Sequence, residues 1–318
     1  MKIDELMSGI KTVGIAGHIR PDGDCVGSCM GMYLYLSKNY PDVRVDVFLE
    51  SIPPELMFIK GTDKVNSEFV SDVDSYDLFI VLDCSKDRTG NAESFFDKAK
   101  KTVNIDHHVS NTGTGDVTYI VPTASSACEL VFDVINQDKL DEETAKSLYT
   151  GMVTDTGVFK YNNTSPKTME VAAKLISFGF DFGSLIDHVF YEKTYLQNQI
   201  LGRALLESIR LLDGRLIVSV VTRQMMDFYG AKSNDLDGIV NQLLLTIGVD
   251  CAMFMYEIEP LVYKVSLRSN GAVNVSEIAQ LFGGGGHIRA AGCSVNGTAH
   301  DVINNITQYI HKQLEENS

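Results

Sequence analysis

The stretch Lys101-Thr102-Val103-Asn104-Ile105-Asp106-His107-His108 runs from a short apolar segment straight into one carboxylate and two imidazoles, and continues as Val109-Ser110-Asn111. A buried strand ending in this way puts metal-binding groups where an open α/β sheet keeps its active site, outside the carboxyl ends of its strands. A histidine pair after a strand also suits a solvated turn, so the pattern must recur elsewhere to count.

It does recur. After a short helical face of Ile3, Leu6 and Ile10, residues 12–17 read as a buried strand ending at His18, and Leu78-Phe79-Ile80-Val81-Leu82 is a fully apolar strand that stops at Asp83. Between them Met30, Tyr33, Leu34 and Leu36 continue a helix to Asn39, and residues 43–49 alternate as a further strand. Strands alternating with helices predict βαβ units and a mostly parallel sheet, with His18, Asp83 and Asp106 gathered on one edge. Helices are expected over 125–136 and 142–153, the second followed by the turn Thr154-Asp155-Thr156-Gly157. Ser165-Pro166 caps another that reaches about Phe178.

A long helical pattern over 194–212 (Leu196, Ile200, Leu205, Ile209) separates this α/β half from a second part. The expected division is a catalytic domain over 1–190, a connector helix over 191–212 and a smaller α+β domain over 213–318. The last holds a strand over 215–221, a helix over 235–247, a hairpin of 251–258 and 261–268, and a helix over 274–281. The run Gly283-Gly284-Gly285-Gly286, a strand near 291–295 and a closing helix after Ala299 complete it.

At 318 residues the chain is long enough for two cores. Its formal net charge of -15 repels polyanions, which argues against a broad face for long duplex nucleic acid while leaving room for a small anion in one pocket. Cys25, Cys29, Cys84, Cys128, Cys251 and Cys293 form no CxxC pair and read as reduced thiols of a cytoplasmic protein. Cys25 and Cys29, one helical turn apart, fit helix packing. The N-terminus lacks the basic and apolar regions of a signal peptide, and Asp250 interrupts the longest apolar stretch, 243–256, so no membrane span is expected.

His18-Ile19-Arg20-Pro21-Asp22-Gly23-Asp24, with Gly27 and Ser28 behind it, is a tight turn on which His18, Asp22 and Asp24 can converge. Asp83, in Leu82-Asp83-Cys84-Ser85 with Arg88 and Gly90 close behind, and Asp155 are the other isolated carboxylates. Each segment alone also fits a plain turn. Together they exceed what one structural zinc, with its cysteines, would use. Mixed imidazole and carboxylate ligands suit manganese, with magnesium, cobalt or iron open, and their number suits two ions about 3.5 to 4 Å apart. Such a pair fits hydrolysis of a phosphate ester. No GxxxxGK[ST], GxGxxG or GxSxG segment offers a competing chemistry.

In the second part stand Ser266-Leu267-Arg268-Ser269 and Phe282-Gly283-Gly284-Gly285-Gly286-His287-Ile288-Arg289-Ala290-Ala291-Gly292. Successive glycines let backbone N–H groups converge on an anion, and an arginine grips phosphate bidentately. A flexible turn with a surface arginine is the alternative.

Taken in order, His18-x-x-Pro-Asp22-Gly-Asp24-x-x-Gly27-Ser28, Asp83, Asp106-His107-His108-x-x-Asn111 and Asp155-Thr-Gly resemble the four motifs of the DHH phosphoesterase superfamily, which includes RecJ-like exonucleases. The Arg268 and glycine-histidine segments resemble its DHH-associated C-terminal domain. The compact layout is similar to the nano-RNase and pAp phosphatase members; class II inorganic pyrophosphatases share only the N-terminal motifs.

The resemblance implies a two-manganese phosphodiesterase with its active-site cleft between two domains. By motif position His18, Asp22, Asp24, Asp83, His107 and Asp155 would be ligands, with Asp83 a bridge. His108 and Arg88 would face the scissile phosphate, and Asp106 would orient a ligand. Asn111, Arg268, Ser269, Gly284, Gly285, Gly286 and His287 would bind substrate. The implied reaction is hydrolysis of short oligoribonucleotides, with 3'-phosphatase action on pAp alongside. The rivals are a c-di-AMP or pApA phosphodiesterase and a non-catalytic nucleotide sensor. A homodimer is compatible with the resemblance; no membrane partner is implied.

Overall fold

A computed structural model describes residues 1–316, and the chain divides into two compact units, Met1–Glu192 and Lys193–Ser318. In the first, strands β1 (Thr12–Ala16), β2 (Arg44–Phe48), β3 (Leu78–Leu82), β4 (Thr102–Asp106) and β5 (Val117–Ile120) form one sheet in the order β2-β1-β3-β4-β5. Every neighbouring pair is parallel. The order reverses direction between β1 and β3, the crevice where open α/β sheets place their ligands. β5, at the edge and only partly buried, escaped the sequence pattern because its four residues show no clean alternation.

A parallel sheet needs both faces covered. Along β3, Leu78, Ile80 and Leu82 pack into the larger core, while Phe79 and Val81 enter a smaller aromatic one with Phe48, Tyr76 and Phe96. Helices α1 (Gly23–Asn39), α2 (Glu93–Lys98), α3 (Ala127–Val134), α4 (Glu142–Asp155), α5 (Pro166–Ile176) and α6 (Phe182–Ile186) complete the unit.

The approach of α1 to α4 is set by small residues. A Cβ on Gly27 would stand 2.8 Å from the Ser147 carbonyl oxygen and 3.0 Å from the Gly151 amide nitrogen. One on Gly31 would meet Leu148 Cδ2 at 2.5 Å, and one on Gly23 would meet Thr154 Oγ1 at 2.2 Å. Ser147 Oγ closes the contact by donating to Gly27 O at 2.9 Å.

The second unit holds α7 (Tyr195–Leu206), α8 (Arg223–Tyr229), α9 (Ile239–Leu244), α10 (Val275–Leu281) and α11 (Ala299–Glu316) around a six-stranded sheet. Its strands, in the order β10-β11-β9-β8-β7-β6, are β6 (Ile209–Leu211), β7 (Leu216–Val221), β8 (Cys251–Glu259), β9 (Val262–Ser269), β10 (Gly285–His287) and β11 (Ala290–Asn296). Only β7 and β8 pair in parallel. Alternation along β8 splits two cores: Met253 and Met255 face α10 and α11, and Ala252 and Phe254 face α7, α8 and α9.

The helical pattern of 194–212 therefore divides into α7 and the strand β6, and α7 buries Ile200 and Ala204 in the second unit's core. The helix expected over 235–247 is cut to α9 because Gly238, at φ +83°, breaks it from the turn Ser233–Leu236. Among the described residues no helix is long and apolar enough to cross a membrane, and all six cysteines are buried and free.

Because backbone atoms occupy the space beside Gly27, Gly27→Ala should destabilise the protein by about 1 to 3 kcal/mol through overpacking. Gly202→Ala, in α7 with nothing within 4 Å of a Cβ, should instead stabilise by about 0.5 to 1 kcal/mol. Chemical denaturation of both variants reads the contrast, and equal signs would mean that the close α1–α4 contact is dispensable.

Candidate metal centre

At the end of β3 the chain turns sharply, with Asp83 in the left-handed region at φ +61°. Its backbone N–H still donates to Ile105 O at 3.0 Å, so the strand ladder persists to the turn. Asn104, buried within β4, ties down the turn by donating from Nδ2 to Cys84 O at 2.8 Å. Asp83 is 1% exposed, and its carboxylate stands among three imidazoles. Oδ2 is 3.3 Å from His18 Nε2, and Oδ1 is 3.3 Å from His107 Nε2 and 3.6 Å from His108 Nδ1.

His18 follows β1 directly, and its Nδ1 lies 2.8 Å from Ile19 O, which turns Nε2 toward the carboxylates. Asp22, the N-cap of α1, accepts from Asp24 N and Cys25 N at 3.1 Å each, and Oδ1 is also 3.6 Å from His18 Nε2. Asp24, in the first turn of α1, is held from the other side: its carboxylate accepts from Ala127 N at 2.6 Å and Cys128 N at 2.9 Å. These amides open α3, where unpaired N–H groups favour a negative charge. Asp155 ends α4. Its Oδ2 is 3.8 Å from His107 Nε2, and Asp24 Oδ2 is 3.7 Å from the same atom.

The tripeptide after β4 is organised by Asp106, which is wholly buried. Asp106 Oδ1 accepts from the backbone N–H of His107 and His108, at 2.7 and 3.1 Å, and lies 2.8 Å from His108 Nδ1. The imidazole it orients is thus that of His108, whose side chain remains 38% exposed.

Burial and electrostatics set the proton affinities. Burial alone would discharge His18, yet its bonds to Asp22 and Asp83 outweigh that and raise its pKa far above the ordinary value. Burial likewise opposes the charge of His107, but Asp83, Asp24 and Asp155 push it up to about 10. Burial, and repulsion from Asp83 and Asp155, drive Asp24 well above the carboxylate range. Burial lifts Asp155 to about 6 against the pull of His107, with Asp83 and Asp22 adding to the rise. His108 is raised mainly by its bond to Asp106.

The donor set fits divalent cations. Asp83 Oδ1 is buried and makes no well-aligned hydrogen bond. Its nearest donors are His107 Nε2 at 3.3 Å and His108 Nδ1 at 3.6 Å, an arrangement that leaves room for a cation to take up its charge. Donor atoms about 2.1 Å from one ion stand about 3.0 to 3.4 Å apart, close to the 3.3 to 3.8 Å separations here. Three overlapping groups have this character: Asp83 with Asp106, His107 and His108; His18 with Cys25 and Asp83; and Asp24 with His107 and Asp155.

Residues 12–152 match the family model described as DHH family, N-terminal domain, and residues 213–316 match the DHHA1 domain. A Thermus thermophilus protein named Bifunctional oligoribonuclease and PAP phosphatase NrnA is 30% identical over 288 residues, covering 89% of this chain and 84% of the relative. The chain belongs to the DHH family. A Bacillus subtilis protein of the same name is 27% identical over 294 residues, 89% of each chain. The crystal structure of an exopolyphosphatase-related protein from Bacteroides fragilis is similar with a TM-score of 0.85 at 26% identity, covering 99% of this chain and 96% of the other.

Within this DHH chain, the first unit brings His18, Asp22, Asp24, Asp83, Asp106, His107, His108 and Asp155 to one place. Arg88 is exposed at the end of a short turn, its carbonyl accepting from Ile19 N at 2.9 Å. Asn111, expected to touch substrate, is 8% exposed. Its Nδ2 donates to Asp106 Oδ2 at 2.7 Å and Asn104 Oδ1 at 3.0 Å, and its Oδ1 accepts from Gly113 N at 2.9 Å. It stands behind Asp106 as a support.

In the second unit Arg268 and His287 flank β11, both paired in register with Ala290. Arg268 Nε donates to Asn241 Oδ1 at 3.0 Å. Ser269 is buried, with Oγ accepting from Gly271 N and Val273 N, at 3.0 and 3.1 Å. Gly285 and Gly286 of the glycine run enter the edge strand β10, and Gly283 and Gly284 precede it. A Cβ on Gly284 would strike Gly292 O at 2.1 Å, and one on Gly286 would strike Ala290 O at 2.4 Å. Gly285 meets nothing within 4 Å.

The sequence pattern gave Asn104 no more weight than any strand residue, and Cys25 no role beyond helix packing. A lone asparagine in a buried strand was the available signal for the first.

Raised pKa values carry a direction for stability. Without an ion, the favourable protonated state of Asp155 is lost as pH rises from about 4 to about 6. That of His107 is lost as pH rises from about 6.5 to about 10. Bound cations replace those protons. The rise in Tm produced by manganese over EDTA should therefore grow from pH 5.5 to 8.5; a difference that is flat or shrinks with pH would mean that these groups do not hold the ion.

Proposed function

We infer that this protein is a two-metal phosphodiesterase that hydrolyses short oligoribonucleotides to mononucleotides and also removes the 3'-phosphate of pAp. The observation that carries this is the Asp83 carboxylate, whose two oxygens face different imidazoles and so suit a bridge between two cations. Relatives named for oligoribonuclease and PAP phosphatase action support the substrate class.

His18, Asp22, Asp24, Asp83, His107 and Asp155 would hold the ions, with manganese the metal that a set of oxygen and imidazole donors without thiolate suits. When bound, such a pair supplies hydroxide at neutral pH and neutralises charge on the phosphoryl group. The chain's own residues do the rest. Asp106, kept charged by bonds from His108 and Asn111 that outweigh its burial, holds the His108 imidazolium through Nδ1, leaving Nε2 to donate to the scissile phosphate or its leaving oxygen. Arg88 adds a charge-assisted hydrogen bond to the same phosphate. Arg268 and His287, paired in register with the same residue of β11, are the second unit's candidates for binding a substrate phosphate.

Asp83→Ala should lower kcat severely in a folded protein, and EDTA should abolish turnover that manganese restores; near wild-type turnover in the variant would remove the bridging role. Arg268→Ala acts on capture. A charge-assisted bond contributes roughly 1.5 to 3 kcal/mol, so kcat/KM on nucleotides should fall about tenfold to over a hundredfold. A small artificial diester should be cut almost as before, and equal loss on both would put Arg268 at the reacting centre or in the fold.

A grip on one or two phosphates, in a chain of net charge -15, also limits substrate length. RNA of about two to five nucleotides should be cut far faster per end than a long strand, with a log-log salt slope magnitude near one or two. Initial rates against RNA length at two salt concentrations, with pAp and c-di-AMP alongside, test this. Equal efficiency on long strands overturns it, and c-di-AMP outpacing every linear substrate would make the cyclic dinucleotide the true substrate.

A further inference from the structure

Asn163 belongs to none of the motifs, yet its side chain reaches into the metal centre from the loop between α4 and α5. Its Nδ2 is 2.9 Å from Ser125 O, 3.2 Å from Asp155 O and 3.3 Å from Asp155 Oδ2. All three neighbours are acceptors, so the amide has one workable orientation; flipped, it would set its own oxygen against them. Its Oδ1 is buried with no protein partner among the described residues, which leaves the donor side as the reason for its placement.

The Ser125 end is anchored as firmly. Ser125 Oγ donates to Glu129 Oε2 at 2.6 Å, and Thr168 Oγ1 donates to the same oxygen at 2.8 Å. Glu129 is 2% exposed. The turn so fixed leads, through the N-cap Ser126, into the amides of Ala127 and Cys128 that hold Asp24. One buried network therefore sets two carboxylates that face His107, Asp24 directly and Asp155 through Asn163.

We propose that Asn163 is a positioning residue of the metal centre, which fixes the Asp155 carboxylate for cation binding by tying it to the Ser125 turn. The role rests on the metal reading of the site. Supporting residues of this kind set ion affinity by about ten- to a hundredfold.

The test is isothermal titration of the full chain with manganese, beside thermal unfolding in EDTA, for the wild type, Asn163→Ala and the near-isosteric Asn163→Leu. Both variants should bind manganese about ten- to a hundredfold more weakly at one site, while unfolding in EDTA close to the wild type. Wild-type affinity in either folded variant overturns the proposal. So does a failure of both to fold, which would make Asn163 a residue of the fold. A wild type that takes up no manganese would remove the metal centre itself, an outcome distinct from unchanged affinity beside a normal wild-type titration.

Discussion

Asp24 and Asp83 are almost wholly buried and face the same imidazole of His107, so repulsion between their carboxylates must be offset by whatever surrounds them. The first unit meets this with positive and dipolar groups. His18 and His107 are drawn toward the charged form, and the opening amides of α3 converge on Asp24. Asp83 Oδ1 has only the more distant His107 and His108 imidazoles beside it, at 3.3 and 3.6 Å, and a cation would complete the balance. The left-handed backbone at Asp83 serves the same end, because a strand continuing straight would carry the carboxylate past the ends of β1 and β4.

Closeness of α1 and α4 is the second requirement. Asp24 opens one helix and Asp155 closes the other, and both carboxylates face His107 because Gly23, Gly27 and Gly31 let the helix axes approach. A side chain at Gly27 would separate the Asp24 and Asp155 carboxylates as well as a pair of helices. Packing and site geometry are one property here.

Most of the candidate metal centre was legible in the sequence for a simple reason. His18, Asp83 and Asp106 each end an apolar run, and a polar residue at such a boundary is visible without knowledge of the fold. The residues that support them were not legible. Asn104, Glu129 and Asn163 are single polar residues whose meaning depends on long-range neighbours, which a sequence pattern does not carry; Asn111 stands out as a motif residue, but its support of Asp106 does not. In the second unit local capping and close contacts decide what periodicity does not. Thr222 accepts from Met225 N and Gly230 sits at φ +70°, the start and stop of α8, a helix too short to show in the apolar periodicity. The glycine run was read for backbone freedom, whereas close contact with β11 is the constraint that confines Gly284 and Gly286 to glycine.

The donors that meet around Asp83 come from segments spread between His18 and Asp155, joined by a sheet whose strands all pair in parallel. Parallel pairing needs a crossover for each strand, so the loops must close before any two donors are neighbours. In small domains whose ligands lie close in sequence, the ion organises the chain. Here the order would be reversed: no short piece of the chain holds more than part of the candidate donor set, so the sheet must be built before an ion could find a full set of donors.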